Sequence, residues 1–305
     1  MGKAKIAINA LALDETKAGI GNYTYNLIRA MSTLNLNMDI DVHIQEHMNA
    51  HFADIQNISF KLHRNFKSNR GRKMYELFKM PSVYRKGNYD IVHFIDCLSP
   101  ILPINAKRVY TIHDISYSKY KTPFTLWERI IKQIWTRITA KLADRMICIS
   151  QNAKNELLEQ YSFLKKDGIY VTYLAANHIW DHIKSTEDNK STGELLQKYG
   201  IKGEFILYLG TMEPRKNIDV LLKAYEGIIQ ETDLPHSLVL CGEMVESYNS
   251  IIDTLEKNVI LKERVILTGY VPDDVLPILY READVFVYPS LYEGFGLPPL
   301  EAMLC

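Results

Sequence analysis

The stretch YPSLYEGFGLPPLEA, residues 288–302, places the end of a strand, a glycine-containing loop and the start of a helix in immediate succession. Its paired prolines suit a first helical turn, because proline has no N–H to lose there and its φ is already helical. Gly296 and the glycine two residues before it allow a ligand to approach backbone N–H groups at the positive end of the helix, which favours a phosphate. We expect Glu293 and Glu301, which flank this site, to accept hydrogen bonds from the hydroxyl groups of a sugar and a ribose.

A second loop with the same placement is LGTMEPRKN, residues 209–217, which begins with Gly210 after an apolar strand. Open α/β sheets bind ligands at this carboxyl edge of their strands. Arg215 can hold a phosphate bidentately, and Lys216 adds a compact positive charge. Two cations can neutralise a departing diphosphate without a metal ion, so we expect no metal and no cofactor. Asn217 is expected to cap the following helix.

Outward from these loops, apolar runs of strand length alternate with segments of helical period, which is typical of parallel sheets with crossover helices. Strands are predicted at Lys5–Ala10, Ile40–Gln45, Ile58–Leu62, Ile91–Phe94, Arg108–Ile112, Arg145–Ile149, Ile169–Thr172, Phe205–Leu209, Ser237–Cys241, Val265–Leu267 and Ala283–Tyr288. Helices are predicted at Gly21–Thr33, Arg72–Tyr84, Leu126–Ala143, Asn152–Tyr161, Ile218–Gln230, Tyr248–Asn258 and Asp274–Arg281. The fold class is therefore α/β.

The alternation of strands and helices occurs twice, before and after a polar linker at Lys184–Gly193. It predicts two Rossmann-like domains that face each other across a cleft, at residues 1–183 and 184–305. A doubly wound sheet usually has five or six strands. Because the second run shows four strands and the chain ends within a helix, we expect the second domain to be incomplete, truncated at its C-terminus.

Composition indicates what kind of protein this is. With 305 residues, 47% of them apolar, the chain has the composition of a soluble globular protein. No run of about 18 apolar residues predicts a membrane-spanning helix, and no signal peptide is recognisable. The four cysteines have no paired spacing, which fits a reducing, cytoplasmic setting. The formal net charge is zero, yet residues 1–183 carry 25 Lys and Arg against 16 Asp and Glu, and the rest carry 11 against 20. Binding of nucleic acid along the whole chain is not expected.

The two loops, together with GIGNY at 19–23, TIHD at 111–114, CISQ at 148–151 and GYV at 269–271, resemble the retaining, nucleotide-sugar-dependent glycosyltransferases of family 4. The resemblance covers nearly the whole chain, and its most specific element is the E-x7-E spacing from Glu293 to Glu301. It implies the two-domain GT-B fold. Within the family, the chain is most similar to mannosyltransferases that build cell-surface polysaccharides.

The resemblance implies roles for individual residues. Arg215 and Lys216 would bind the donor diphosphate, Glu301 the ribose and Glu293 the transferred sugar, with backbone N–H groups near Phe295 and Gly296 assisting. Backbone near Tyr270 and Val271 would border the nucleobase, Gly19 and Gly21 would let a loop close over the phosphates, and His113 would face the sugar near the reacting carbon. The departing phosphate oxygen would accept the proton of the acceptor, a polysaccharide or lipid-linked glycan, so that the sugar is transferred with retention.

Other classes remain open: a sugar-nucleotide epimerase of the same fold, a non-catalytic remnant, or a plain nucleotide-binding module. A dehydrogenase is disfavoured, because the third glycine of the dinucleotide motif is missing after Gly21 and a tight turn after the first strand is lacking. His43, His47 and His51 would share a helix face as a metal site, but the first of them lies in a predicted strand, so we interpret the spacing as chance. His178 and His182 are interpreted as structural or surface residues.

A basic strip extends from Arg64 to Lys86, with eight Lys or Arg residues and a single acid, Glu76. Such a strip is usually a solvated face. It is also suited to an anionic membrane or an acceptor phosphate, and Trp127 and Trp135 lie on an amphipathic helix that suits a lipid interface. A peripheral contact with the inner membrane face is therefore a further hypothesis.

Overall fold

The computed structural model describes residues 2–14, 19–97, 99–115, 117, 125–176, 192–245 and 248–305. The chain divides into two compact units. The first runs to Ile115 and resumes at Leu126–Leu174, and the second includes Tyr117, Thr125 and the chain from Ala175 onward. The predicted boundary between residues 183 and 184 lies outside the described residues, as do His178, His182 and most of the predicted linker. The last two linker residues instead begin a helix, Thr192–Lys198.

The first unit contains a seven-stranded, fully parallel sheet in the order β3-β2-β1-β4-β5-β6-β7. Its strands are β1 (Ala4–Asn9), β2 (Met38–Gln45), β3 (Ser59–His63), β4 (Ile91–Phe94), β5 (Lys107–Ile112), β6 (Arg145–Cys148) and β7 (Ile169–Val171). All seven predicted strands are present, with ends that differ by at most two residues. The strand order changes direction between β1 and β4, which defines a topological switch point at the carboxyl edge.

Five α-helices of the first unit lie among the described residues: α1 (Ile20–Thr33), α2 (Asn69–Phe78), α3 (Met80–Gly87), α4 (Leu126–Leu142) and α5 (Gln151–Gln160). The single helix predicted over Arg72–Tyr84 is wrong, because the structure divides it at Lys79. Pro81 stands in the first turn of α3, where its missing N–H costs nothing, whereas inside a continuous helix it would remove a hydrogen bond.

Strand β2 is buried on both faces over most of its length. Ile40, Val42 and Ile44 pack into one hydrophobic cluster. The alternate positions Asp41, His43 and Gln45 are buried on the opposite face, and Asp39 near the start of the strand is exposed. Sequence alternation of this kind ordinarily indicates one solvated face, but here the polar face is covered, with Asp41 accepting from the Tyr89 hydroxyl and His43 paired with His63.

The second unit contains a four-stranded parallel sheet in the order β10-β9-β8-β11. Its strands are β8 (Phe205–Leu209), β9 (Ser237–Cys241), β10 (Val265–Gly269) and β11 (Val285–Phe286), and its helices are α6 (Thr192–Lys198), α7 (Ile218–Glu231), α8 (Ser250–Lys257), α9 (Val259–Arg264), α10 (Leu276–Glu282) and α11 (Leu297–Leu304). Separate apolar clusters form around Leu240 on one face and Val239 on the other, so this sheet is covered on both sides. Strand β11 is shorter than the predicted Ala283–Tyr288, and α6 and α9 were not predicted.

Within the described parts of the chain, no helix is both long enough and apolar enough to cross a bilayer. The four cysteines are free thiols. Burial raises the pKa of Cys148 to about 12, so this thiol stays protonated at neutral pH.

Candidate functional site

The loop that follows β8 approaches the loop that follows β9 at backbone contact distance. Gly210 has φ +144° and Gly242 has φ +131°, in a region that side-chain-bearing residues rarely adopt. A Cβ atom on Gly242 would lie 2.4 Å from the carbonyl oxygen of Gly210. The two glycines therefore permit the close approach that shapes this carboxyl edge of the sheet.

Arg215 and Lys216 lie on a short 3-10 turn, Pro214–Lys216, directly before α7. Asn217 occupies the cap position of α7, as expected, but with φ +62° and without a side-chain capping bond. Its amide Nδ2 instead donates to the carbonyl oxygen of Pro289 at 3.2 Å, and the Leu291 N–H donates to the Arg215 carbonyl at 2.9 Å. These bonds join the cationic loop to the loop that carries Glu293.

Arg215, Lys216, Tyr288 and Glu293 form one hydrogen-bonded group, here called the Glu293 cluster. Glu293 Oε2 accepts from Arg215 Nη1 at 3.0 Å, and Glu293 Oε1 accepts from Lys216 Nζ at 2.5 Å. Tyr288 donates its hydroxyl to Glu293 Oε1 at 2.9 Å and accepts from Lys216 Nζ at 3.0 Å. The structure thus brings Glu293 to two adjacent cations that lie 78 and 77 positions before it in the chain.

Glu213 adds a second acid, with Oε1 2.6 Å from Arg215 Nη2. The four charged groups Glu213, Arg215, Lys216 and Glu293 therefore sum to zero when all are ionised. An arriving diphosphate would compete with the two carboxylates for the two cations.

The pKa values of the cluster follow from its burial and its pairing. Burial lowers the pKa of Lys216, and the nearby charge of Glu293 offsets part of that effect. Burial alone would raise the pKa of Glu293, but the positive charges of Lys216 and Arg215 outweigh it, so this pKa lies below its ordinary value. Glu293 is consequently a carboxylate at neutral pH and can only accept hydrogen bonds.

Glu301 lies in α11, which starts after Gly296 with φ +91°. Its side chain is buried, and its Oε2 accepts from the hydroxyl of Tyr280 on α10 at 2.8 Å. Burial, with the adjacent carboxylate as a second cause, raises the pKa of Tyr280, so this hydroxyl remains a donor. Tyr280 therefore fixes the orientation of the Glu301 carboxylate.

The other second-unit residues that were expected to contact the donor differ in their exposure. Tyr270 follows β10 and is largely exposed, whereas the Val271 side chain is buried in the apolar cluster that also contains Val275 and Leu279. Phe295 is half-buried in the loop before α11. Because the Val271 side chain is buried in this cluster, any contact of this residue with a ligand would be made by its backbone.

In the first unit, Gly19 with φ +50° precedes α1, and Gly21 lies in the first turn of that helix. His113 follows β5, and its Nε2 pairs with the carbonyl oxygen of Ile95 at 2.9 Å, so Nε2 carries the proton. The ring of Tyr23 packs edge-on against His113, with centroids 4.8 Å apart. Burial lowers the pKa of His113, which favours the neutral ring with Nδ1 unprotonated.

The histidine spacing noted in the sequence does not form a helix face. His43 lies in β2, whereas His47 and His51 lie in a 3-10 helix, Glu46–Phe52. His43 Nδ1 instead lies 2.9 Å from His63 Nε2. Across the described ranges, no group of three or more His, Cys, Asp or Glu side chains has the geometry of a metal site.

Sequence reasoning missed three residues of the second unit that the structure places in the site: Tyr288, Glu213 and Tyr280. Both Tyr288 and Glu213 lie within the quoted stretches, five residues before Glu293 and two residues before Arg215, and this nearness in the sequence was the available signal. Tyr280 gave no such signal, because its contact with Glu301 depends on how α10 packs against α11.

The two sheets, each with its helices, define a class of protein by fold, the GT-B class. A solved structure of Anabaena HepE in complex with UDP and glucose matches 99% of this chain and 78% of its own chain, with a TM-score of 0.68 at 15% identity. At that identity the likeness shows the fold, which confirms the predicted class.

The chain belongs to glycosyltransferase family 4. The family model described as Glycosyltransferase Family 4 matches residues 18–177, and the one described as Glycosyl transferases group 1 matches residues 192–305. The O-antigen chain mannosyltransferase B of Escherichia coli is 38% identical over 167 residues, which are 53% of this chain and 42% of that protein. The serotype-specific mannosyltransferase WbdA of Escherichia coli is 37% identical over 164 residues, 53% of this chain and 20% of WbdA. The matched region thus spans less than half the length of these relatives.

Proposed function

We propose that this glycosyltransferase moves a hexose, with mannose favoured, from a nucleoside-diphosphate sugar to a polysaccharide or lipid-linked glycan, with retention at the anomeric carbon. The observation that carries the proposal is the Glu293 cluster, in which the buried Lys216, the partly buried Arg215 and an ionised carboxylate meet at the carboxyl edge of the second sheet. Support for a mannosyl donor comes from the mannosyltransferase relatives.

In this proposal, the donor diphosphate displaces the carboxylates from Arg215 and Lys216 and binds to both cations. Glu293, released from part of its pairing, accepts hydrogen bonds from hydroxyls of the transferred sugar. Positive charge fixed where the leaving group develops negative charge lowers the barrier without moving a proton. The two cations thereby stabilise the charge of the leaving group, as a bound metal ion does in metal-dependent enzymes.

Other residues position the donor. Glu301, oriented by Tyr280, accepts from the ribose hydroxyls, and the backbone at Tyr270 and Val271 borders the nucleobase. N–H groups near Gly210, Phe295 and Gly296 bind phosphate or sugar oxygens. In the first unit, the Gly19–Gly21 loop is assigned to the phosphates and neutral His113 to the sugar. The departing phosphate oxygen takes the acceptor proton, so that catalysis rests on orientation and charge.

The test is to incubate the chain with a panel of labelled donors, GDP-mannose, UDP-glucose and UDP-galactose, with and without a lipid-linked glycan acceptor. We expect one donor to be consumed, with the α anomeric configuration retained in the product by NMR. Donor that returns epimerised at a sugar carbon would instead establish the epimerase. Donor that binds but is neither transferred nor hydrolysed would establish a nucleotide-binding module or a non-catalytic remnant.

We also propose a peripheral contact between the first unit and an anionic membrane, at the inner face in the cytoplasm. Five large apolar side chains on successive turns of α4 are exposed, with Trp127 75% exposed, and the others are Leu126, Ile130, Ile131 and Ile134. The Arg64–Lys86 strip supplies charge complementary to anionic headgroups. An amphipathic helix with such a face binds at the lipid interface.

Co-sedimentation with vesicles tests this contact. We expect binding to phosphatidylglycerol-containing vesicles, weaker binding to pure phosphatidylcholine, and loss of binding in Trp127→Glu. Val259→Glu is the matched control, because the Val259 side chain is 70% exposed, close to the 75% of Trp127, and lies in the second unit. Equal binding to both vesicle types, or equal loss in the control, would overturn the proposal.

A further inference from the structure

Tyr288 follows β11 at the carboxyl edge of the second sheet, and strand pairing and ring packing fix its position. The Val287 N–H donates to the Leu207 carbonyl at 2.8 Å, which extends the pairing of β11 with β8 beyond Phe286. The Tyr288 ring lies nearly parallel to those of Tyr208 and Phe286, with centroids 6.4 and 6.0 Å away. Because these contacts involve the backbone and the ring, the position of Tyr288 does not depend on its hydroxyl.

The direction of each hydrogen bond at the Tyr288 hydroxyl follows from the chemistry of its partners. A lysine ammonium cannot accept a hydrogen bond, and an ionised carboxylate cannot donate one. The hydroxyl therefore accepts from Lys216 Nζ at 3.0 Å and donates to Glu293 Oε1 at 2.9 Å. Burial, with the charge of Glu293 as a second cause, raises the pKa of Tyr288, so this hydroxyl keeps its proton at neutral pH.

The groups that donate to Glu293 differ in charge. Arg215 and Lys216 are cations, and each donates to one oxygen of this carboxylate. The Tyr288 hydroxyl is neutral, and its bond to an ionised acceptor is stronger than a bond between two neutral groups. A diphosphate therefore competes with Glu293 for the two cations far more strongly than it competes for Tyr288.

A carboxylate recognises a sugar only when its orientation is fixed. An ionised carboxylate accepts about four hydrogen bonds. Loss of Arg215 frees a position on Glu293 Oε2, and loss of Lys216 frees one on Oε1, where the Tyr288 hydroxyl also binds. A carboxylate held at one oxygen presents its free positions in defined directions, which adjacent sugar hydroxyls require.

We propose that Tyr288 is a positioning residue: its hydroxyl holds the Glu293 carboxylate in the donor complex, after Arg215 and Lys216 have turned to the diphosphate. This inference rests on the proposed glycosyltransferase function and names a determinant of sugar recognition within it. Tyr288 acts through Glu293 and is assigned no contact with the diphosphate or the nucleobase. Loss of its hydroxyl therefore weakens the part of donor binding that comes from the sugar.

Calorimetry tests this by comparing each sugar nucleotide with its own diphosphate: GDP-mannose with GDP, and UDP-glucose and UDP-galactose with UDP. The measured quantity is the ratio of the sugar-nucleotide Kd to the diphosphate Kd, for the sugar nucleotide that the unaltered chain binds most tightly. In Tyr288→Phe we expect this ratio to rise about tenfold, because a misplaced carboxylate loses the sugar hydroxyls. The Kd of the diphosphate alone should stay nearly unchanged.

Tyr248→Phe is the matched control. The Tyr248 hydroxyl also donates to a carboxylate in the second unit, Asp219 Oδ2 at 2.6 Å, and lies outside the Glu293 cluster. This variant loses the same kind of bond and should keep the ratio of the unaltered chain. An equal change of the ratio in both variants would assign the effect to general destabilisation and overturn the inference.

A double-mutant cycle separates positioning from a direct contact with the sugar. Glu293→Ala should raise the ratio by itself, and adding Tyr288→Phe should then have no further effect. A further rise in the double variant would mean that Tyr288 contacts the sugar itself, which overturns the positioning role. An unchanged ratio in Tyr288→Phe, or equal weakening of sugar nucleotide and diphosphate, would also overturn it.

Turnover distinguishes this inference from the proposed function. A sugar nucleotide that binds but is not transferred contradicts the proposed function, while the ratio of Kd values still tests Tyr288. Transfer with an unchanged ratio in Tyr288→Phe supports the function and overturns the positioning role. A chain that binds none of these nucleotides would overturn both.

Discussion

Replacing Lys216 by methionine removes one of the two cations of the Glu293 cluster while keeping most of the volume of the side chain. The ammonium group is buried and has two oxygen partners, Glu293 Oε1 and the Tyr288 hydroxyl. In the donor complex it would bond to the diphosphate instead. The expected consequence is weaker binding of nucleoside diphosphates.

The magnitude follows from those contacts. A hydrogen bond to a charged group contributes about 1.5–3 kcal/mol, and truncating one member of a buried charged pair costs about 2–5 kcal/mol. Because Lys216 must leave Glu293 to reach the phosphate, part of the gain is cancelled. We therefore expect a loss near the lower limit, about 2 kcal/mol, which corresponds to roughly 30-fold in Kd.

Isothermal titration calorimetry with GDP and UDP measures this loss directly. Lys223→Met is the matched control, because Lys223 is exposed on α7, seven residues from Lys216. Circular dichroism of each variant checks that the second unit is folded. If Lys216→Met binds both nucleotides as tightly as Lys223→Met does, the assignment of Lys216 to the diphosphate is wrong.

Three further outcomes are expected. Glu213→Gln removes a carboxylate that competes with phosphate for Arg215, so GDP affinity should rise several-fold; weaker binding by calorimetry would contradict the competition. Gly242→Ala should lower the free energy of unfolding of the second unit, measured in urea, by more than about 2 kcal/mol, because the new Cβ meets backbone at 2.4 Å in a strained conformation. Gly227→Ala on α7 should be neutral or stabilising. Burial lowers the pKa of His43 to about 3, so the unfolded chain binds more protons than the folded chain between pH 6.5 and 3, and the free energy of unfolding should fall as pH drops through that window. Urea titrations at pH 7, 5.5 and 4.5 should show a shallower fall in His43→Gln than in the unaltered chain. Identical pH dependence in these two proteins would refute this.

Most of the fold could be predicted from periodicity. Apolar runs such as Ile91–Phe94 and Phe205–Leu209 coincide with strands to the residue. One failure has a local physical cause, because Pro81 divided one predicted helix. In β2, polar side chains alternate with apolar ones, a pattern that ordinarily indicates one solvated face. That face is buried because Asp41 accepts from Tyr89 and His43 pairs with His63, partners from distant positions that no local pattern reveals.

The sequence by itself determined the loops: their glycines, the Arg215–Lys216 pair and the Glu293 to Glu301 spacing are local features whose chemistry can be read directly. Tertiary structure alone decided which charges meet. Arg215 and Glu293 are 78 positions apart, and only the parallel pairing of β8 with β11 brings the loops after both strands to the same edge. The carboxyl ends of parallel strands lie at one edge of a sheet whatever their separation along the chain. Tyr280 meets Glu301 for another tertiary reason, because α10 packs against α11.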